Sequence, residues 1–253
     1  MPFTFVHPVA VIPFRKFKIP LSALIIGSMA PDFNYFFLKE YPIGHTVLGQ
    51  FYFCLPAGIA ALLIFQFIIR KPLLDLLPES HSKVLVNVAS PDLRNVKIWF
   101  YISAGILIGS FSHIIWDSFT HNYGFAVKEF PLLQREILIA SYGTAHFFRI
   151  LQHLSTLTGS VIIGILYLKW YKRQSLNTEY ISKFTARKKI LVILAITITA
   201  FALSVIPQLN SFGSITSIRE FRVFTGIFLK TFLPVFTIFL TLFCTYRIVI
   251  EKS

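Results

Sequence analysis

Hydrophobic residues in this chain come in long runs separated by short polar stretches. A helix needs about 20 predominantly apolar residues to cross the hydrocarbon core of a bilayer. Five runs meet that length: residues 46–69, 98–116 (running on to His121), 150–170, 190–207 and 223–250. The last carries Lys230 and Pro234, which predicts a kink or a late start there, with Lys230 snorkelling to the interface. Residues 21–38 are as long, but Pro31 and Asp32 interrupt them, and the apolar stretch 4–14 is too short to span. With Lys16 to Pro20 between them, these two segments predict a helical hairpin that enters the membrane part-way, or an interfacial helix followed by a span. The fold class expected is all-α, a polytopic transmembrane bundle of about five or six membrane helices plus a short N-terminal re-entrant or interfacial helix.

Composition agrees. Of 253 residues, 55% are hydrophobic and 14% charged, which leaves too little polar surface to cover a soluble globule. The net charge of +13 comes from basic residues flanking the apolar runs. Lys and Arg in those positions fix orientation and meet anionic head groups, so membrane lipids are the expected partners and nucleic acid is not. Cys54 and Cys244 lie inside apolar runs without a C-x-x-C, as small buried hydrophobes do. The apolar stretch 3–14 precedes Arg15, Lys16 and Lys18, the reverse of a signal peptide.

The 171–189 connection holds Lys172, Arg173, Lys183, Arg187, Lys188 and Lys189 against Glu179, which predicts a cytoplasmic loop. Counting spans backwards, the 70–97 loop is also cytoplasmic, and the 41–45 turn and the 122–149 loop lie outside. Trp99 and Trp170 then fall at the inner interface and Trp116 near the outer one. Apolar segments contain His and Asp before residue 170 and almost none after it. The chain accordingly divides into a membrane domain, 1–170, a basic loop, 171–189, and a C-terminal helix pair, 190–253.

Ionisable residues are costly in a bilayer, so each one found there is a functional candidate. Asp32 and Asp117 are the two aspartates inside or at the end of apolar spans, whereas Asp75 and Asp92 read as loop residues. His113, Asp117 and His121 are spaced i, i+4, i+8 and share one helical face. Two ligands at i, i+4 can grip one metal ion. His121 stands roughly 12 Å from His113 along a continuous helix and joins them only if the helix breaks first. The alternative for this face is an Asp–His hydrogen-bond ladder between packed helices.

In Gly27-Ser28-Met29-Ala30-Pro31-Asp32, small residues permit close packing and Pro31 weakens the helix, freeing Asp32 to turn inward; the other reading is an interfacial Asp at a helix end. His45 starts the run at residue 46. With a turn near Lys18, His7 and Asp32 fall eleven residues before and fourteen after it, at about the same depth, some 16–21 Å from the turn. That depth is the outer half, where His45, His113 and Asp117 also lie. His153, beside Gln152, is a candidate ligand or supporting partner, or else faces the outer loop. His81 and His146 read as solvated loop residues. Ser112, Ser118 and Thr120 adjoin the cluster, but no G-x-S-x-G elbow is present.

The opening Met1-Pro2-Phe3-Thr4-Phe5-Val6-His7-Pro8, the segment from Gly27 to Asp32, His45-Thr46, the segment from Gly109 to His121 and Gln152-His153 resemble the bacterial DUF4184 family over roughly residues 1–170. These motifs are also similar to bacterial inner-membrane proteins described as membrane-bound metal-dependent hydrolases, although Asn34 stands where that group often carries a further acid. The resemblance implies an inner-membrane location and His7, Asp32, His45, His113 and Asp117 as metal ligands, with His121, His153 and Gln152 as supporting or alternative ones. A divalent metal with His and carboxylate ligands is expected to be zinc, which acidifies bound water for attack on a lipid-linked ester or phosphoester. Asp32 or Asp117, whichever is free of metal, is then the candidate catalytic base. Two alternatives stay open: a non-enzymatic metal-binding scaffold or proton or metal transporter, and a purely structural bundle held by polar contacts.

Overall fold

The computed structural model of the chain describes residues 4–37, 43–139, 143–174, 180–212 and 217–251. Its helices, in chain order, are α1 Pro8–Val11, α2 Leu21–Met29, α3 Val47–Leu76, α4 Glu79–Leu85, α5 Val96–Thr120, α6 Phe125–Glu129, α7 Pro131–Gln134, α8 Phe147–Lys172, α9 Ala186–Phe212 and α10 Ile218–Ile250. Strands β1 Glu136–Ile139 and β2 Gly143–His146 pair antiparallel, Glu136 opposite His146. Each of the five predicted runs falls in a helix long and apolar enough to cross a membrane. Outward side chains such as Phe100, Ile115, Leu157, Ile198 and Leu242 are exposed, a surface suited to acyl chains and not to water.

The chain forms two compact units. The first comprises residues 1–33, 41–62 and 91–173. Here the N-terminal arm, α1 with the 3₁₀ turns Thr4–Val6 and Ile12–Phe17, doubles back at Lys18, whose φ of 59° is left-handed. The turn thus sits at the predicted centre. The returning arm is α2, which tightens into the 3₁₀ helix Ala30–Phe37. Nine residues of α-helix and the 3₁₀ turns that continue it rise about 29 Å together, a length that fits either a part-way hairpin or an interfacial helix followed by a span.

Helix α5 is the axis of this unit. Asn95 caps it, accepting a hydrogen bond from the Lys97 amide at 3.0 Å. Helix α2 lies against it with backbones in contact: a methyl group on Gly27 would overlap the Ile106 backbone, and one on Gly109 would overlap Ser28 N and Leu24 O. Around this seam Ala23, Leu62, Ile102 and Ile106 form the buried core. Helix α3 starts from Thr46, whose hydroxyl accepts from Gly49 N at 2.9 Å, and widens to π-helix at Gln50–Cys54. Residues 122–149, expected as a loop, fold into α6, α7 and the hairpin because Ala126, Val127, Leu133 and Phe148 can build a small core of their own.

The second unit comprises residues 34–40, 63–90 and 174–253. Helices α9 and α10 pair through Phe201 against Phe228, ring centroids 5.3 Å apart, and through Gln208 Nε2 donating to Thr231 Oγ1 at 3.1 Å. Helix α10 starts at a Ser217–Glu220 capping box and runs unbroken through Pro234, so the expected late start does not occur. Lys230 lies over the Tyr35 ring at 5.4 Å.

Asp75, read from the sequence as a loop residue, is buried in the last turn of α3 and accepts from Tyr180 Oη at 2.9 Å and Lys183 N at 3.1 Å. Burial, and then the bond to Asp75, push the Tyr180 hydroxyl well above the usual tyrosine range. Lys189 Nζ donates to Leu77 O at 2.7 Å. These bonds pin the chain that follows residue 179. His81 is partly buried in α4 rather than in a loop. Glu179, with the rest of 175–179, and residues 41–42 of the predicted outer turn lie outside the described residues.

Candidate metal centre

Four stretches of the first unit each deliver one or two side chains to a single buried cluster. The N-terminal arm brings His7, the 3₁₀ end of the hairpin brings Asp32, the start of α3 brings His45, and α5 brings His113 and Asp117 one turn apart. His7, Asp32, His113 and Asp117 are each at most 4% exposed.

Hydrogen bonds outside the cluster fix how these groups face it. His113 Nδ1 lies 2.7 Å from Ser28 O. A carbonyl oxygen can only accept, so Nδ1 carries the proton, and in the neutral ring Nε2 presents a lone pair. Ser28 reaches this position because Gly27 and Gly109 let α2 and α5 touch. Thr4 Oγ1 donates to Asp32 Oδ2 at 2.5 Å, turning Oδ1 inward.

The inward atoms form an alternating ring. His113 Nε2 is 3.3 Å from Asp117 Oδ2 and 3.7 Å from Asp32 Oδ1; His45 Nε2 is 3.4 Å from Asp117 Oδ2 and 3.6 Å from Asp32 Oδ1. Charge-assisted hydrogen bonds are about 2.7–2.9 Å long. None of these four buried atoms has a hydrogen-bond partner. A lone pair aimed at two carboxylate oxygens is repulsive unless a positive charge stands between them. No Lys or Arg pairs with Asp32 or Asp117 among the described residues. A cation at the centre of such a ring would lie about 2.1–2.5 Å from each atom, depending on pucker, which reaches the 2.0–2.2 Å of zinc bonds to His and carboxylate. The groups His7, His113, Asp117 and Asp32, His45, His113 each bring their ligand atoms within 4.8 Å of one another. These buried groups could hold a metal ion.

The other oxygen of Asp117 faces away from the ring. Oδ1 is 3.6 Å from His7 Nε2 and 3.5 Å from His121 Nδ1, and it too has no hydrogen-bond donor. The His7 ring stacks on His113 with centroids 3.7 Å apart. Helix α5 stops at Thr120, and His121 adopts extended backbone angles of −127° and 144°. Its imidazole meets Asp117 one turn back, as an i, i+4 pair does. Gln152 Nε2 lies 3.3 Å from His121 Nε2 on the opposite edge of the ring.

Other candidates stand apart. His153 is exposed, about 100° round α8 from Gln152. His146 bonds through Nδ1 to Gln134 O at 2.9 Å. Ser112 and Ser118 donate to Gly109 O and Ile115 O in their own helix, each at 2.6 Å, so their hydroxyls serve α5 and not a nucleophilic triad. Three contributors escape the sequence reading. Ser28 acts through a backbone carbonyl, which no residue type reveals. Thr4 lies in the motif-bearing opening without a spacing that marks it. Tyr123, half-exposed, packs its ring edge-on to His45 at 6.3 Å and beside His121 at 5.1 Å. The pair Gly105 and Gly109, at i, i+4, is a readable signal for the seam.

No curated protein and no solved structure matches this chain. The sequence does match DUF4184, a domain of unknown function, over residues 1–249. That match runs past residue 170, where the motif resemblance stopped, and takes in α9 and most of α10. The chain, site and C-terminal helices alike, belongs to the DUF4184 family.

Proposed function

We propose that the ring of His45, His113, Asp32 and Asp117 binds one divalent cation, zinc by its ligand set, and that the protein is a membrane-embedded hydrolase of a lipid-linked ester or phosphoester. The observation that carries the metal reading is the His113 tautomer: with Nδ1 held by Ser28 O, a lone pair faces two carboxylates at 3.3 and 3.7 Å. A divalent ion there supplies a Lewis acid and an acidic water. The chain's own groups supply orientation and proton handling. Thr4 steers Asp32, Ser28 steers His113, and His7 stands beside Asp117 Oδ1, where it can take or return a proton. With the basic 171–189 loop on the cytoplasmic side of a bacterial inner membrane, the ring faces the outer half of the bilayer, within reach of lipid head groups.

Deep burial favours a second reading, a non-enzymatic metal-binding scaffold or transporter, since Asp32, His113 and Asp117 are nearly inaccessible. Metal analysis of detergent-purified protein, wild type against His113→Ala, tests the ring. Metal in the wild type that is lost in the variant is expected; none in the wild type overturns the metal reading. Lipid-ester and phosphoester substrates, assayed with and without chelator, then separate the two readings: chelator-sensitive turnover supports the hydrolase and metal without turnover the scaffold.

A further inference from the structure

Both oxygens of Asp117 are buried without a hydrogen-bond donor, and they face two different sets of imidazoles. One cation in the ring accounts for Oδ2 and leaves Oδ1 unexplained. Placing all five predicted ligands around that one ion does not solve this. His113 has a single free nitrogen, already committed to the ring, and His7 approaches the far side of the Asp117 carboxylate. The geometry points to Asp117 as a bridging carboxylate, with a second divalent cation held on its Oδ1 side by His7 and His121. This inference rests on the reading of the ring as a metal centre.

The local geometry suits such a site. His7 Nε2 and His121 Nδ1 stand 3.6 and 3.5 Å from Oδ1, the spacing that separates the ring atoms from one another. His121 Nδ1 also lies 3.1 Å from Thr120 Oγ1 and 3.3 Å from Asp117 O, long contacts that give way when the ring carries its proton on Nε2 and turns the Nδ1 lone pair to an ion. At the opposite edge of that imidazole stands the Gln152 side-chain amide, 3.3 Å away; turned so that Oε1 faces the ring, it accepts from Nε2–H and leaves Nδ1 to the ion, as supporting partners of metal-bound histidines do. Two metal ions clamping the reacting group of a phosphoester typically stand about 3.5–4 Å apart, a distance one carboxylate can bridge. With two dications the site's formal charge is +2, from four positive charges against two carboxylates, so an anionic substrate is drawn in. This narrows the substrate class to a phosphoester of a lipid head group over a neutral ester.

Full-length protein in nanodiscs, stripped of metal and reloaded with Mn²⁺, tests this without an activity assay. The wild type is expected to bind two equivalents and to give an exchange-coupled electron paramagnetic resonance signal, and His7→Gln to bind one equivalent with the six-line spectrum of isolated Mn²⁺. A wild type with one equivalent and six lines overturns the second site and leaves the ring intact. Two uncoupled equivalents, or two retained in His7→Gln, also overturn it, because the second ion then lies elsewhere. No bound metal in the wild type removes the ring and the second site together. The wild-type spectrum decides the matter even if the variant does not fold.

Discussion

Two aspartates, one in each unit, are buried to nearly the same degree and differ in what meets them. Asp75 is 7% exposed and receives a tyrosine hydroxyl and a backbone amide. Asp117 is 2% exposed, and no donor reaches either of its oxygens. Burial of a carboxylate is thus not the mark of a functional site in this protein. The first is a structural fastener whose cost of desolvation is offset by fitted donors. The second has no fitted donor and faces four imidazoles, in a cluster that could hold a metal ion.

Substitutions can break this contrast from either side. The largest effect is expected from His113→Ala, which should weaken divalent-metal binding by at least about 100-fold, roughly 3 kcal/mol, by isothermal titration; Asp75→Asn should leave that affinity unchanged. Next, Gly109→Ala should cost about 1–3 kcal/mol of stability in thermal unfolding, since its methyl group displaces α2, and should weaken metal binding as Ser28 O withdraws from His113. Thr4→Val should lower metal affinity about 10-fold at unchanged melting temperature, because Asp32 loses its steering bond. In the second unit, Asp75→Asn should cost about 1 kcal/mol, read by unfolding, with metal content intact.

The smallest effect separates the units by pH. The Tyr180 hydroxyl titrates higher in the folded protein than in the unfolded chain. Its contribution to stability is therefore complete below about pH 10, where unfolded tyrosine titrates, and is lost as pH rises toward the higher folded value. Tyr180→Phe should flatten that alkaline decline. If it does not, Asp75 is held by its backbone donor alone.

Much of this architecture is legible in the chain because a bilayer imposes length. Residues 46–69 and 190–207 could be read as helices without any knowledge of their neighbours. That His7 and Asp32 both reach the His113 neighbourhood is legible from counting residues about Lys18, and the i, i+4 face of α5 from helical periodicity. What escaped the sequence depends on tertiary contact. Asp75 looked like a loop residue because the residues that satisfy it, Tyr180 and Lys183, lie more than 100 positions away. The end of α5 at Thr120 is announced by no proline or glycine at that point, although the i, i+4 spacing of Asp117 and His121 is readable. The Ser28 carbonyl became visible only once the glycine seam had brought two backbones together.

The hairpin turn has a consequence for the surrounding lipid. Ile19 packs on Gly105, nine residues along α5 from Val96 and so about 13 Å above its start. The turn at Lys18 therefore stops well inside the depth that α5 traverses, and Arg15, Lys16 and Lys18 are all exposed there. Long basic side chains reach several ångströms toward water, and with α5 spanning a bilayer the remaining gap would be closed by phosphate groups moving inward to meet them. The leaflet beneath this turn should be locally thinned, a dimple in the membrane held open by three cations.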